Sequence, residues 1–133
     1  MGVIQKEIEL VGSKSRKKEI ALFDSGVTYS CIEKELAEEL GGVMPLPEIF
    51  EFLTLEKGRK IKVESHIPLI FYLNGYRFSD EFLVIENLSE RVIIGAKTLQ
   101  AWRLKLDFEN DDIIIDPRVT KIRLFSLNSF KDF

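Results

Sequence analysis

Asn74-Gly75 stands between Phe71-Tyr72-Leu73 and Tyr76-Arg77-Phe78. A two-residue Asn-Gly loop takes positive φ at both positions and matches the twist of two antiparallel strands, so the chain is expected to fold back there as a β-hairpin. The surrounding sequence agrees. Residues 3–11 alternate, with Ile4, Ile8 and Leu10 on one side and Gln5, Glu7 and Glu9 on the other, as a half-buried strand does. Gly12-Ser13-Lys14 reads as a turn and 19–23 as a second strand. Segments 49–55 and 61–73 read as strands around the turn Glu56-Lys57-Gly58-Arg59. Residues 82–85 and the apolar run Val92-Ile93-Ile94 add two more, and 104–108 with 113–115 make a last hairpin ended by Pro117.

The period changes in 30–40, where Ile32, Leu36, Ala37 and Leu40 recur at helical spacing. Ser30 with Glu33 fits a capping box, and Gly41-Gly42 offers a left-handed stop. Pro45 and Pro47 are expected to break the chain next, and 97–102 could form a helical turn or two. Many short strands with one or two small helices predict an all-β domain, a closed barrel or sandwich.

At 133 residues the chain has the size of one domain with a real core. The formal charge of −3 and pI near 5.3 argue against a nucleic-acid binder. The basic cluster Lys14-Ser15-Arg16-Lys17-Lys18 reads as a solvated hairpin tip. Cys31 is the sole cysteine, which rules out an intrachain disulfide and fits a reducing, cytoplasmic setting; it is expected to be buried and inert. No apolar run approaches the ~18 residues of a membrane span, and no signal peptide is visible. His66 is the only histidine and no Cys/His cluster has ligand spacing, so neither a metal nor a cofactor is expected. Glu33, Glu35, Glu38 and Glu39 read as a solvated helix face, Asp107, Asp111, Asp112 and Asp116 as turn chemistry, and Trp102 as core.

The residue with chemistry is Asp24. It follows Ile20-Ala21-Leu22-Phe23, and a carboxylate at the end of an apolar strand loses water. Gly26 allows a tight turn that brings its N–H to the carboxylate, and Ser25 adds a bracing hydroxyl. Taken alone, Asp24-Ser25-Gly26 also fits a plain β-turn.

The longer stretch Leu22-Phe23-Asp24-Ser25-Gly26-Val27-Thr28-Tyr29-Ser30-Cys31-Ile32 resembles the active-site signature of retropepsin-like aspartic proteases. Val92-Ile93-Ile94-Gly95-Ala96-Lys97-Thr98-Leu99 resembles the second landmark of that family, an apolar run ending in Gly before a short helix. Residues 53–63, with Gly58 near the turn, resemble its flap hairpin. The resemblance spans roughly residues 3–116. Thr28 and Tyr29 stand where the viral enzymes carry acids, and Ala96 where they carry an Arg that pairs with one of them. The flap is charged and has a single glycine. These departures set the chain closer to the cellular, bacterial or archaeal branch.

The resemblance implies a retropepsin-like barrel over 1–117 and a homodimeric aspartic endopeptidase in which each chain gives one Asp24. Two adjacent carboxylates share a proton and titrate apart; one activates water and the other protonates the substrate carbonyl. The implied catalytic group is Asp24 with Ser25 and Gly26. Val27, Thr28, Tyr29, Gly58, Ile93 and Ile94 would bind the peptide, and no metal or cofactor takes part. The alternative is a catalytically silent module of the same fold used for dimerisation or peptide binding. The apolar tail 118–133 is expected to pack on its own domain, to cross to the partner chain, or to cover the cleft.

Overall fold

A computed structural model describes residues 2–53 and 60–120. The elements in order are β1 (Ile4–Val11), β2 (Arg16–Phe23), β3 (Cys31–Glu33), α1 (Lys34–Leu40), β4 (Met44–Leu53), β5 (Lys60–Leu73), β6 (Tyr76–Ile85), β7 (Val92–Ile94), α2 (Ala96–Ala101), β8 (Lys105–Asp107), β9 (Asp112–Ile114) and α3 (Pro117–Thr120). The strands run β1-β2-β7-β3-β6-β5, and β5 pairs back onto β1 through Glu9↔Tyr72, Leu10↔Phe71 and Val11↔Ile70. Six strands thereby close into a barrel with β4 added outside β5. The expected all-β closed barrel with short helices is what the chain forms.

Alternation fills the barrel. Ile4, Ile8 and Leu10 of β1 are buried while Gln5 and Glu7 face water. Phe23, Phe71, Phe78 and Phe82 are wholly buried. The Phe71 and Phe78 rings stack with centroids 5.2 Å apart, and Phe71 meets Phe82 edge-on at 6.2 Å. Trp102 joins this core edge-on against Phe78 at 5.4 Å, its indole N–H donating to the Ser79 carbonyl. The hairpin of β5 and β6 turns at Asn74 (φ 50°) and Gly75 (φ 83°), with Leu73 opposite Tyr76.

Several local expectations are corrected. Ser30 does not start a helix: Cys31–Glu33 is a strand, held parallel to β6 and antiparallel to β7, and α1 begins at Lys34. Its cap is Glu33, whose carboxylate accepts the Glu35 and Leu36 amides at 3.0 and 3.3 Å. Glu33 is thus occupied at the helix start, and Glu39 pairs with Lys17, so the acidic face is not wholly solvated. Gly41 ends α1 with extended backbone (φ −178°) and not in the left-handed region; a Cβ there would meet Ser13 Oγ at 2.7 Å. Pro45 and Pro47 do not break the chain but lie within β4, an edge strand whose register slips between Pro45 and Phe50, where a missing N–H is tolerated. Arg16, Lys17 and Lys18 belong to β2, not to a hairpin tip, and Arg16 pairs with Glu9 at 2.8 Å.

Leu53 faces Lys60 across the β4–β5 pair, so these strands flank the segment expected as the flap; its tip, Gly58 included, lies outside the described residues. The domain division at 117/118 falls within α3, and the tail from 121 onward likewise lies outside them. Among the described residues no helix is long and apolar enough to cross a membrane.

Candidate active site

Strand β7 lies between β2 and β3, parallel to the first and antiparallel to the second. The loop joining β2 to β3 must therefore pass over the end of β7, and this loop is residues 24–30. Ala21, Leu22 and Phe23 pair with Val92, Ile93 and Ile94, which brings the chain out of the sheet at Asp24. The Asp24 amide donates to the Ile94 carbonyl at 3.0 Å. Its carboxylate Oδ1 accepts the Gly26 amide at 2.8 Å, the contact expected of that glycine. Asp24 is half-buried, while Ser25 and Gly26 are exposed.

The far side of the loop is tied to α2. The Ala96 amide donates to the Val27 carbonyl at 2.6 Å and the Lys97 amide to the Thr28 carbonyl at 3.0 Å. Gly95 lies against the loop backbone: a Cβ there would sit 2.7 Å from the Tyr29 carbonyl carbon and oxygen and 2.8 Å from the Val27 oxygen. Lys97 Nζ stands 5.1 Å from the centre of the Tyr29 ring, within cation–π reach. Ser30 ends the loop, its carbonyl accepting the Leu83 amide at 2.9 Å.

Asp24, Ser25, Gly26, Val27, Thr28 and Tyr29 therefore share one loop, held by the Ile94 carbonyl, Gly95 and the start of α2. Thr28 and Tyr29 are exposed and Val27 is half-buried. Ile94 does not offer its side chain as expected: it is wholly buried in the main core, and its carbonyl is what holds Asp24. Ile93 points to the opposite face, into a second apolar cluster with Cys31, Val63, Leu83 and Ile85. Of that cluster only Ile93 was expected at the site; Cys31 was expected to be buried, and Val63, Leu83 and Ile85 lie in the expected strands 61–73 and 82–85, where alternation could have found them.

Burial pushes the Cys31 thiol up from 9.0 to about 12, in keeping with an inert side chain, and its Sγ donates to the Tyr29 carbonyl at 3.3 Å. His66 Nδ1 lies 3.1 Å from Glu81 Oε1, close enough for an ion pair but without hydrogen-bond geometry. Asp107 accepts the Glu109 and Asn110 amides, the turn chemistry expected of it. No group of three His, Cys, Asp or Glu among the described residues could hold a metal ion.

The loop offers one carboxylate, held rigidly and half-open to solvent. A single such group can accept or donate a proton but cannot do both at once, so two-carboxylate chemistry needs a second copy.

No protein-family model matches the sequence, and no curated protein matches it. Solved structures do. The retroviral protease-like domain of Ddi1 from Leishmania major superposes with a TM-score of 0.63 at 22% identity, over 86% of this chain and 90% of that one. The EIAV protease, solved with the inhibitor HBY-793, superposes with a TM-score of 0.59 at 16% identity, over 78% and 91% of the two chains. The chain has the closed-barrel fold of retroviral-type protease domains.

Proposed function

We propose that the chain is one half of a homodimeric aspartic endopeptidase, with Asp24 and Asp24 of the partner subunit as its catalytic dyad. The observation that carries this reading is the placement of Asp24. It is a lone, half-exposed carboxylate on a loop locked to β7 and α2, in a barrel shared with retroviral-type proteases.

Two such carboxylates brought close across a two-fold axis share one proton, because both cannot ionise easily. The ionised member takes a proton from water, which attacks the peptide carbonyl. The protonated member donates to the carbonyl oxygen. Ser25 braces the loop and Gly26 keeps its N–H on the carboxylate. Exposed Thr28 and Tyr29 hold the peptide backbone beside the dyad, and the wall around Ile93 receives an apolar side chain. Without the acidic residues of the viral enzymes at 28 and 29, substrate clamping depends on uncharged groups.

The test is hydrolysis of a diverse peptide library between about pH 3.5 and 7. Wild-type cleavage that drops by about 10²-fold or more in Asp24→Asn supports the dyad. A folded dimer that binds peptides without cutting them, unchanged by Asp24→Asn, is what a binding module on the same fold would give, and it would sink the protease reading.

A further inference from the structure

Two polar side chains are fully enclosed among the described residues, Ser30 at 3% exposure and Thr98 at 0%, and they touch. Ser30 Oγ and Thr98 Oγ1 lie 2.5 Å apart. The Gly95 amide donates to Ser30 Oγ at 3.0 Å, and Thr98 Oγ1 donates to Asp80 Oδ2 at 2.5 Å. Each hydroxyl has one proton to give. An ionised carboxylate only accepts, so the Thr98 proton goes to Asp80. Thr98 Oγ1 must then accept from Ser30, whose remaining lone pair takes the Gly95 N–H. Every donor has one destination, and the row points one way: Gly95 to Ser30 to Thr98 to Asp80. Buried hydrogen bonds aligned in this way strengthen one another.

The row also closes the Asp24 loop. Ser30 is the last residue of that loop. Gly95 follows the Ile94 carbonyl that holds Asp24 and precedes the two amides that hold Val27 and Thr28. Asp80 stands apart on β6, half-buried, with Oδ1 fixed by the Glu81 amide at 2.8 Å. Remove its acceptor oxygen and one buried hydroxyl proton loses its partner in the row, whichever way Ser30 and Thr98 turn. Movement of the loop away from β6 relieves that loss.

We infer that Asp80 is a positioning residue for the Asp24 site, acting through a directional hydroxyl relay of Thr98 and Ser30. This rests on the reading of Asp24 as a catalytic residue. A displacement of about 1 Å at a reacting group can cost about 10²-fold in rate, so the relay acts on turnover more than on peptide affinity.

The experiment compares Asp80→Leu, Asp80→Asn and Thr98→Val in the full chain, each checked to be a folded dimer. Asp80→Asn keeps an oxygen for Thr98 and gives up only the Glu81 amide. With an active wild type, Asp80→Leu and Thr98→Val lose about tenfold or more in kcat with KM within about threefold, while Asp80→Asn loses at most about threefold. Amide hydrogen exchange is measured beside it. Exchange at Asp24, Gly26 and Gly95 rises about tenfold or more in Asp80→Leu and Thr98→Val, while Ala21 and Val92 in the barrel stay as in wild type. Equal damage from Asp80→Asn and Asp80→Leu, an unchanged loop, or a rise spread evenly over the barrel would overturn the relay. A wild type that cleaves nothing removes the protease reading instead, and the exchange pattern then decides the relay alone. Should Thr98→Val fail to fold, the pair of variants at half-buried Asp80 carries the test.

Discussion

At Gly95 the smallest added side chain would press on the backbone of Tyr29 and Val27, and backbone cannot swing aside as a side-chain tip does. Gly95→Ala is therefore expected to lose about 1–3 kcal/mol of stability, read as a lower urea midpoint, and to displace the Asp24 loop. The sequence marks Gly95 as the end of an apolar run, but the reason for glycine is a neighbour about 66 residues away in the chain, which no local pattern reveals. The contact between Gly26 and the Asp24 carboxylate was legible because it depends on a short contiguous motif. Ser30 was misread because Ser-x-x-Glu is also how a capped helix begins, and pairing with β6 and β7 decided between the two. Cys31, next to it, carries a pH prediction. Its folded thiol titrates near 12 against 9.0 for an unperturbed thiol, so the folded chain holds that proton more tightly. The resulting stability is whole below pH 9 and lost as pH climbs from 9 toward 12, at up to about 1.4 kcal/mol per pH unit. Urea unfolding at about pH 8 and about pH 10.5 should show a smaller fall in Cys31→Ala than in wild type.

Among the elements, the β5–β6 hairpin is the one the sequence specifies most tightly. Gly75 has φ 83° and nothing within 4 Å of a Cβ placed on it, so Gly75→Ala meets no clash and changes only the backbone preference. The expected cost is about 1–2 kcal/mol, measured by chemical denaturation, with packing in the barrel unchanged. The same hairpin was legible because its signal is two adjacent residues. Strand β4 was less so. Its start at Met44 runs through Pro45 and Pro47, which sequence patterns treat as punctuation, and only its place at the sheet edge lets the prolines stay. The last hairpin, β8 and β9, was legible again from alternation around an acidic turn.

For the whole molecule, the strands and most of the core could be read from alternation, but the closure could not. It depends on three residue pairs between β1 and β5, about sixty positions apart. The proposed dyad extends that logic beyond one chain. Each chain brings one Asp24, so specific activity should fall on dilution, with half-loss at the dimer dissociation constant found by sedimentation. Activity independent of concentration in a monomeric sample would contradict the shared site. The position of β7 between β2 and β3 has a consequence in time. A chain emerging from the ribosome has β2 and the Asp24 loop early, but the strand that must slot between β2 and β3, and the helix that holds the loop, come some seventy residues later. Until those residues are made, Asp24 has neither the Ile94 carbonyl nor the α2 amides to hold its loop. Synthesis thus supplies the supports of the Asp24 loop late, and a chain interrupted before residue 92 has neither of them.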